Sequence, residues 1–204
     1  MERIIGIDPG ETCGMVILDG GQISSVFNIM FDQLTSKLTN YLIHPNCRVV
    51  VEDIRPYSLR LTPQVIWTCK FIGELVYRLK NDAGAIVDLV PRNEVKKWCF
   101  DTFPDVCLPM IEKKIIKKGL IRKDTGEPRK PSFVFVDDRV VTECMKNLYS
   151  IKMPKPGYGY QFGLKGHSFQ ALAIAAYWEW KLAGTFAVSL PETLQTSLFV
   201  ASKE

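Results

Sequence analysis

Ile4-Ile5-Gly6-Ile7-Asp8-Pro9-Gly10-Glu11-Thr12-Cys13-Gly14 reads IIGIDPGETCG. An apolar run with strand character ends on a carboxylate, and a Pro-Gly turn follows at once. Asp8 either caps that turn, as aspartate before Pro-Gly commonly does, or is held at the strand end for chemistry. Cys47-Arg48-Val49-Val50-Val51-Glu52 repeats the pattern, a short buried strand ending on an acid. If the two strands are neighbours in one sheet, Asp8 and Glu52 lie side by side at one edge. Adjacent carboxylates repel, and a cation usually offsets that cost. Hard oxygen ligands with room for water suit magnesium or manganese. Two such ions about 3.5–4 Å apart activate water and stabilise the leaving oxygen of a phosphodiester. The small residues after Asp8 let a phosphate approach closely. A glutamate after a strand is also often a plain solvated end, so the pairing rather than either residue carries this reading.

Working outward, residues 3–8, 13–18 and 22–28 read as three strands, with Asp19-Gly20-Gly21 as a hairpin turn between the last two. Phe31, Leu34, Leu38 and Leu42 fall at helical spacing. After the strand at 47–52, Thr62–Lys80 is a long helix pattern with Thr62 as N-cap and Pro63 at the first helical position. Its Ile66, Cys69, Ile72, Gly73 and Val76 form an apolar stripe that serves as core, dimer interface or both. Residues 85–90 read as a fifth strand and 92–100 as a short helix. Residues 101–132, with prolines at 104, 109, 128 and 131, read as an insertion or flexible arm with a short helix near 109–118. Helices are expected over 138–149 and 167–182, and 184–204 reads as a loosely held tail. Three strands in a meander followed by alternating helices and strands imply a mixed α/β sheet with helices on its faces.

The chain has 204 residues, 47% hydrophobic and 24% charged, which fits a packed globular core. No apolar run reaches the roughly 18–20 residues that span a bilayer, and the N-terminus lacks the layout of a signal peptide. Six cysteines are scattered without CxxC pairs, which argues against a zinc site or disulfide framework and for reduced thiols inside a cell. The net charge of +4 is mild, but its distribution is uneven. Lys113, Lys114, Lys117, Lys118, Arg122, Lys123, Arg129 and Lys130 crowd one interval. Lys152, Lys155 and Lys165 interleave with Tyr158, Tyr160 and Phe162 in another. Such clusters fit phosphate contacts and base stacking, although any single lysine is as well explained by a solvated face. His167 and Gln170, spaced i, i+3, share a face of the last helix and point toward the strand ends if Ala171, Ile174 and Trp178 pack on the sheet. Helix capping by His167 is the competing account.

Together these pieces resemble the RuvC-like Holliday junction resolvases of the RNase H-like superfamily, bacteriophage members especially. The matching segments are IIGIDPGETCG (4–14), VVVEDIR (49–55), TCKFIGELVYRLK (68–80), VDLVPRNEVKKW (87–98) and GHSFQALAIAAYW (166–178). The resemblance implies an RNase H-like mixed five-stranded sheet over residues 1–182, an antiparallel meander then parallel strands, with a tail over 183–204. It implies a homodimeric endonuclease of branched DNA, dependent on one or two magnesium or manganese ions, acting in the cytoplasm of a bacterial or phage-infected cell. Asp8 then matches the first metal ligand, Glu52 the second, and His167 the acid or histidine opening the last helix. Gln170 departs from the pattern, because the bacterial members carry an aspartate there. An amide oxygen coordinates more weakly and leaves the site one charge short. Either the site works with fewer charges, one metal being held firmly only when DNA binds, or an acid from elsewhere substitutes; Asp137 and Asp138 are the candidates, with N-capping as their competing role. A further outcome is a non-catalytic, branched-DNA-binding scaffold that kept the fold. An actin-like ATPase also opens on a strand, an aspartate and a glycine turn, but needs a second phosphate loop and a second lobe that 204 residues do not provide.

Overall fold

The computed structural model describes residues 3–42, 47–54, 62–122, 124–152 and 163–189. Strand β1 (Arg3–Asp8) lies at the centre of a five-stranded sheet of order β3-β2-β1-β4-β5. It pairs antiparallel with β2 (Thr12–Asp19), which pairs antiparallel with β3 (Gln22–Met30). After helix α1 (Phe31–Leu42) the chain lays β4 (Cys47–Asp53) parallel to β1 on its other side. After helix α2 (Pro63–Asn81) it lays β5 (Ile86–Pro91) parallel to β4. Helices α3 (Arg92–Thr102), α4 (Pro104–Lys117), α5 (Asp138–Leu148) and α6 (His167–Ser189) complete the order. The mixed sheet with helices on both faces is the architecture the sequence implies.

The near-continuous apolar run of β1 follows from its central place, where both faces are covered. Alternation along the strands divides the core in two. Ile5, Ile7, Met15, Ile17, Val49 and Val51 face α1 and α2, packing on Leu34, Leu38, Phe71, Leu75 and Leu79. Ile4, Val16, Leu18, Val50 and Val90 face the other way, against α6 and the helices around it. Helix α6 is buried on nearly every side from Ser168 to Tyr177, which its run of alanines permits.

Gly6 and Gly14 set how closely α6 lies on the sheet. A Cβ on Gly6 would stand 2.2 Å from the Ala171 carbonyl oxygen, and one on Gly14 would stand 2.2 Å from that of His167. The helix backbone rests directly on the strands at these two points.

Several boundaries differ from expectation. The segment 101–132 is not a loose arm: Pro104 opens α4, and Cys107, Ile111 and Ile115 on its inner face are buried against α3 and α5. The prolines and the lysines of the outer face obscure that i, i+4, i+8 stripe in the sequence. The buried face of α2 is Thr68, Phe71, Ile72, Leu75 and Leu79, rotated from the expected stripe, and Ile66 and Gly73 are exposed. Thr62 caps α2 as expected, its hydroxyl accepting from the Val65 amide at 3.3 Å. Helix α6 continues through Ser189, into the stretch read as tail, and residues 190–204 lie outside the described residues. Among the described residues no helix is long and apolar enough to cross a membrane.

Gly14→Ala should destabilise the protein by about 3 kcal/mol, the upper end of overpacking, because backbone rather than a flexible side chain must move. Gly73→Ala, which meets open space on a helix, should stabilise it by about 0.5–1 kcal/mol. Urea denaturation midpoints of the two variants, read at constant m, check both signs.

Candidate active site

The pairing of β1 with β4 places Ile7 opposite Val51, so Asp8 and Glu52 leave the same edge of the sheet as neighbours. Each is only 4% exposed. Burial, reinforced by Asp8 and only partly opposed by Arg92, pushes the Glu52 carboxyl up to about 8. Without a cation bound, Glu52 therefore keeps its proton to higher pH than an ordinary carboxyl.

Three helix starts close around the pair. His167 opens α6, and its Nδ1 lies 2.7 Å from Asp8 Oδ2. That hydrogen bond, working against burial, raises the imidazole above its ordinary value. Arg92 opens α3 directly after β5. Its Nη1 sits 3.5 Å from Glu52 Oε2, and its Nη2 donates to Asp138 Oδ1. Burial works against the Arg92 charge, but Glu52 and Asp138 outweigh it and hold the guanidinium firmly protonated.

Asp137 and Asp138 divide the roles that the sequence left open between them. Asp137 is the N-cap of α5, its Oδ1 accepting from the amides of Arg139 at 3.1 Å and Val140 at 3.2 Å. Its Oδ2 accepts from Lys114 Nζ at 2.8 Å. Burial would raise this carboxyl, yet Lys114 and the α5 amides hold it below the usual range. Asp138 lines the same cleft as Asp8, whereas Asp137 does not. Gln170 stands beside Asp138 rather than beside the acid pair: its Nε2 donates to the Asp138 carbonyl at 3.1 Å and ties α6 to the start of α5.

The cleft measures about 780 Å³ and runs from the turn after β1 to the first turns of α2. Trp67 forms part of its wall, 44% exposed, with its ring stacked on Phe71 at 5.6 Å. Arg92 and Trp67 went unnoticed in the sequence. For Arg92 the available signal was a cation immediately after the strand that neighbours β4. For Trp67 it was an aromatic on the outer side of an otherwise legible helix.

Two buried carboxylates without a full counter-charge fit a divalent cation. Asp8 and Glu52 would supply its innermost oxygens, with His167 and Asp138 at the rim. Among the described residues no three acidic, histidine or cysteine side chains converge closely enough to cage an ion unaided.

The basic residues separate as well. Lys113 and Lys117 on α4 and Lys118 just beyond its end are exposed. Lys114, expected among the phosphate contacts, instead turns in to Asp137 and to the Phe135 carbonyl at 3.0 Å. Arg122 pairs with Asp124 and, with Arg129 and Lys130, lines a shallow depression at the tip beyond α4. Lys152 and Lys165 are exposed, while Lys123, Lys155, Tyr158, Tyr160 and Phe162 lie outside the described residues.

A protonated Glu52 gives the folded state an extra proton between 4.5 and about 8. Stability of the metal-free protein should therefore fall as pH rises through that window, and the raised His167 acts in the same direction. Melting temperatures in a chelator should show this decline, and Glu52→Gln should flatten most of it.

No family model matches the sequence, and no curated protein matches it either. Among solved structures, Thermus thermophilus RuvC in complex with a Holliday junction substrate is similar at a TM-score of 0.51 and 16% identity, over 87% of this chain and 92% of that one. A second Thermus thermophilus RuvC structure gives 0.45 and 18%, over 86% and 92%. An Aquifex aeolicus member of the Ppx/GppA family gives 0.28 and 12%, over 48% and 38%. The last two likenesses are too loose to carry an argument. What the chain shares with the first is its fold, the RNase H-like mixed sheet of RuvC.

Proposed function

We propose that this protein is a metal-dependent endonuclease that cuts branched DNA, four-way junctions above all. The observation that carries the reading is the buried Asp8–Glu52 pair at the floor of an open cleft. A magnesium or manganese ion bound there would activate water and stabilise the oxygen that leaves the phosphodiester. Asp8 and Glu52 hold and orient it, and Glu52 must first give up its proton, so affinity for the ion rises with pH. His167 fixes the outer oxygen of Asp8 and, when protonated, donates a proton to the leaving oxygen. Lys113, Lys117, Lys118, Lys152 and Lys165 meet phosphates and position the duplex arms. The exposed face of Trp67 offers a platform on which an unpaired base stacks. A symmetric homodimer would match the two-fold geometry of a junction. Such an enzyme would work in the cytoplasm of a bacterial or phage-infected cell. The likeness of fold to RuvC supports this reading.

Gln170 favours a second reading, a scaffold that binds branched DNA without cutting it. The two readings part on a labelled four-way junction incubated with magnesium or manganese. Paired nicks that need the metal support the nuclease, and binding without nicks supports the scaffold.

In that assay Asp8→Asn and Glu52→Gln should each lower cleavage by more than about a hundredfold while leaving junction binding intact. Unfolding of both variants, or full activity in both, would sink the assignment. Replacing Lys113, Lys117 and Lys118 by Ala should weaken binding to all sequences alike. It should also reduce the slope of log affinity against log salt by about 2–3, near 0.9 for each phosphate no longer neutralised. An unchanged slope would remove α4 from the DNA interface.

A further inference from the structure

Arg92 occupies the place where cationic charge is most needed. Its guanidinium spans Glu52 on one side, at 3.5 Å, and Asp138 on the other. It lines the cleft, and its side chain is 36% exposed. Nothing in the local chain favours an arginine at this position. The first turn of a helix is the wrong end of the macrodipole for a cation, and α3 has no side-chain cap. The two carboxylates it meets are 40 and 46 residues away, so its place is set by the site rather than by the helix.

A guanidinium cannot discharge at any accessible pH. It therefore cannot stay beside Glu52 when a divalent cation arrives there without strong like-charge repulsion. Its partner Asp138 has a side chain that is 61% exposed, and Gln170 holds the backbone of Asp138 against α6.

We propose that Arg92 is an exchangeable cation of the site. In the metal-free protein it stands beside Glu52 and holds the Asp138 carboxylate out of reach of Asp8. When a divalent ion binds, Arg92 releases both carboxylates and moves to a phosphate oxygen of DNA in the cleft. Asp138 then completes a set of three carboxylates with Asp8 and Glu52, which makes good the charge absent at Gln170. The inference rests on the metal-dependent reading above and adds a positioning role to it.

The test measures Mn²⁺ binding to the metal-free full chain without DNA, by electron paramagnetic resonance of the free ion. Wild type, Arg92→Gln, Arg92→Lys and Asp138→Asn are compared at pH 8, with urea denaturation as a check on folding. Arg92→Gln should bind Mn²⁺ about tenfold more tightly, since a competing charge is gone. Arg92→Lys, which keeps the charge, should stay near wild type, and Asp138→Asn should bind more weakly. In calcium, Arg92→Gln should also lose junction affinity that it keeps in chelator. If wild type binds Mn²⁺ and Arg92→Gln binds equally or less well, Arg92 is a strut between α3 and α5 and the inference fails alone. If none of the four proteins binds Mn²⁺, the inference fails together with the metal-dependent reading.

Discussion

The contact of the α6 backbone with Gly6 and Gly14 governs the geometry of this protein. At both glycines an added Cβ would lie 2.2 Å from a helix carbonyl oxygen, closer than any side chain tolerates. This approach brings Ala171 and Ala175 down onto the two central strands and lets the stretch from Ser168 to Tyr177 contribute to or border the core. It also decides the site. The second of the two contacts is made by His167 itself, so the same glycine that seats the helix places the imidazole 2.7 Å from Asp8. Packing and chemistry share one backbone contact, and neither can be adjusted independently of the other.

The site carries an electrostatic strain that the fold offsets only in part. Burying two carboxylates costs far more than any single hydrogen bond returns. The proton that Glu52 retains, the imidazole on Asp8 and the guanidinium near Glu52 each reduce that cost. Two of the three are not permanent partners: a proton leaves as pH rises, and an imidazole discharges. Residues away from the site show the contrast. Asp137 is fixed by two amides and an ammonium and has a settled structural role, while Asp138, one position along, stays exposed and turns toward the cleft.

The distribution of positive charge follows the same division. Along α4 the lysines look equivalent, yet Lys114 is committed to Asp137 while Lys113, Lys117 and Lys118 face solvent. The committed lysine anchors α4 to the N-cap of α5, which steadies the helix that presents Asp138. The solvent-facing lysines extend the cationic surface that a polyanion would meet, and their contribution is the part that salt screens.

The sequence by itself determined the elements and the acid pair. Strands and helices announce themselves through periodicities of about 2 and 3.6 residues, and Thr62-Pro63 marks a helix start by local hydrogen bonding and a fixed φ. Asp8 and Glu52 were legible because each ends an apolar strand, and strand adjacency then carries both to one edge. Tertiary structure alone decided the rest. The inner stripe of α4 was hidden because prolines and lysines dominate its composition, although Cys107, Ile111 and Ile115 bury it. The choice between Asp137 and Asp138 turns on which way each side chain leaves the first turn of α5, a matter of a single residue's dihedral angles. Arg92 reaches acids 40 and 46 positions away, and no local pattern encodes a contact made only when separate strands and helices have docked.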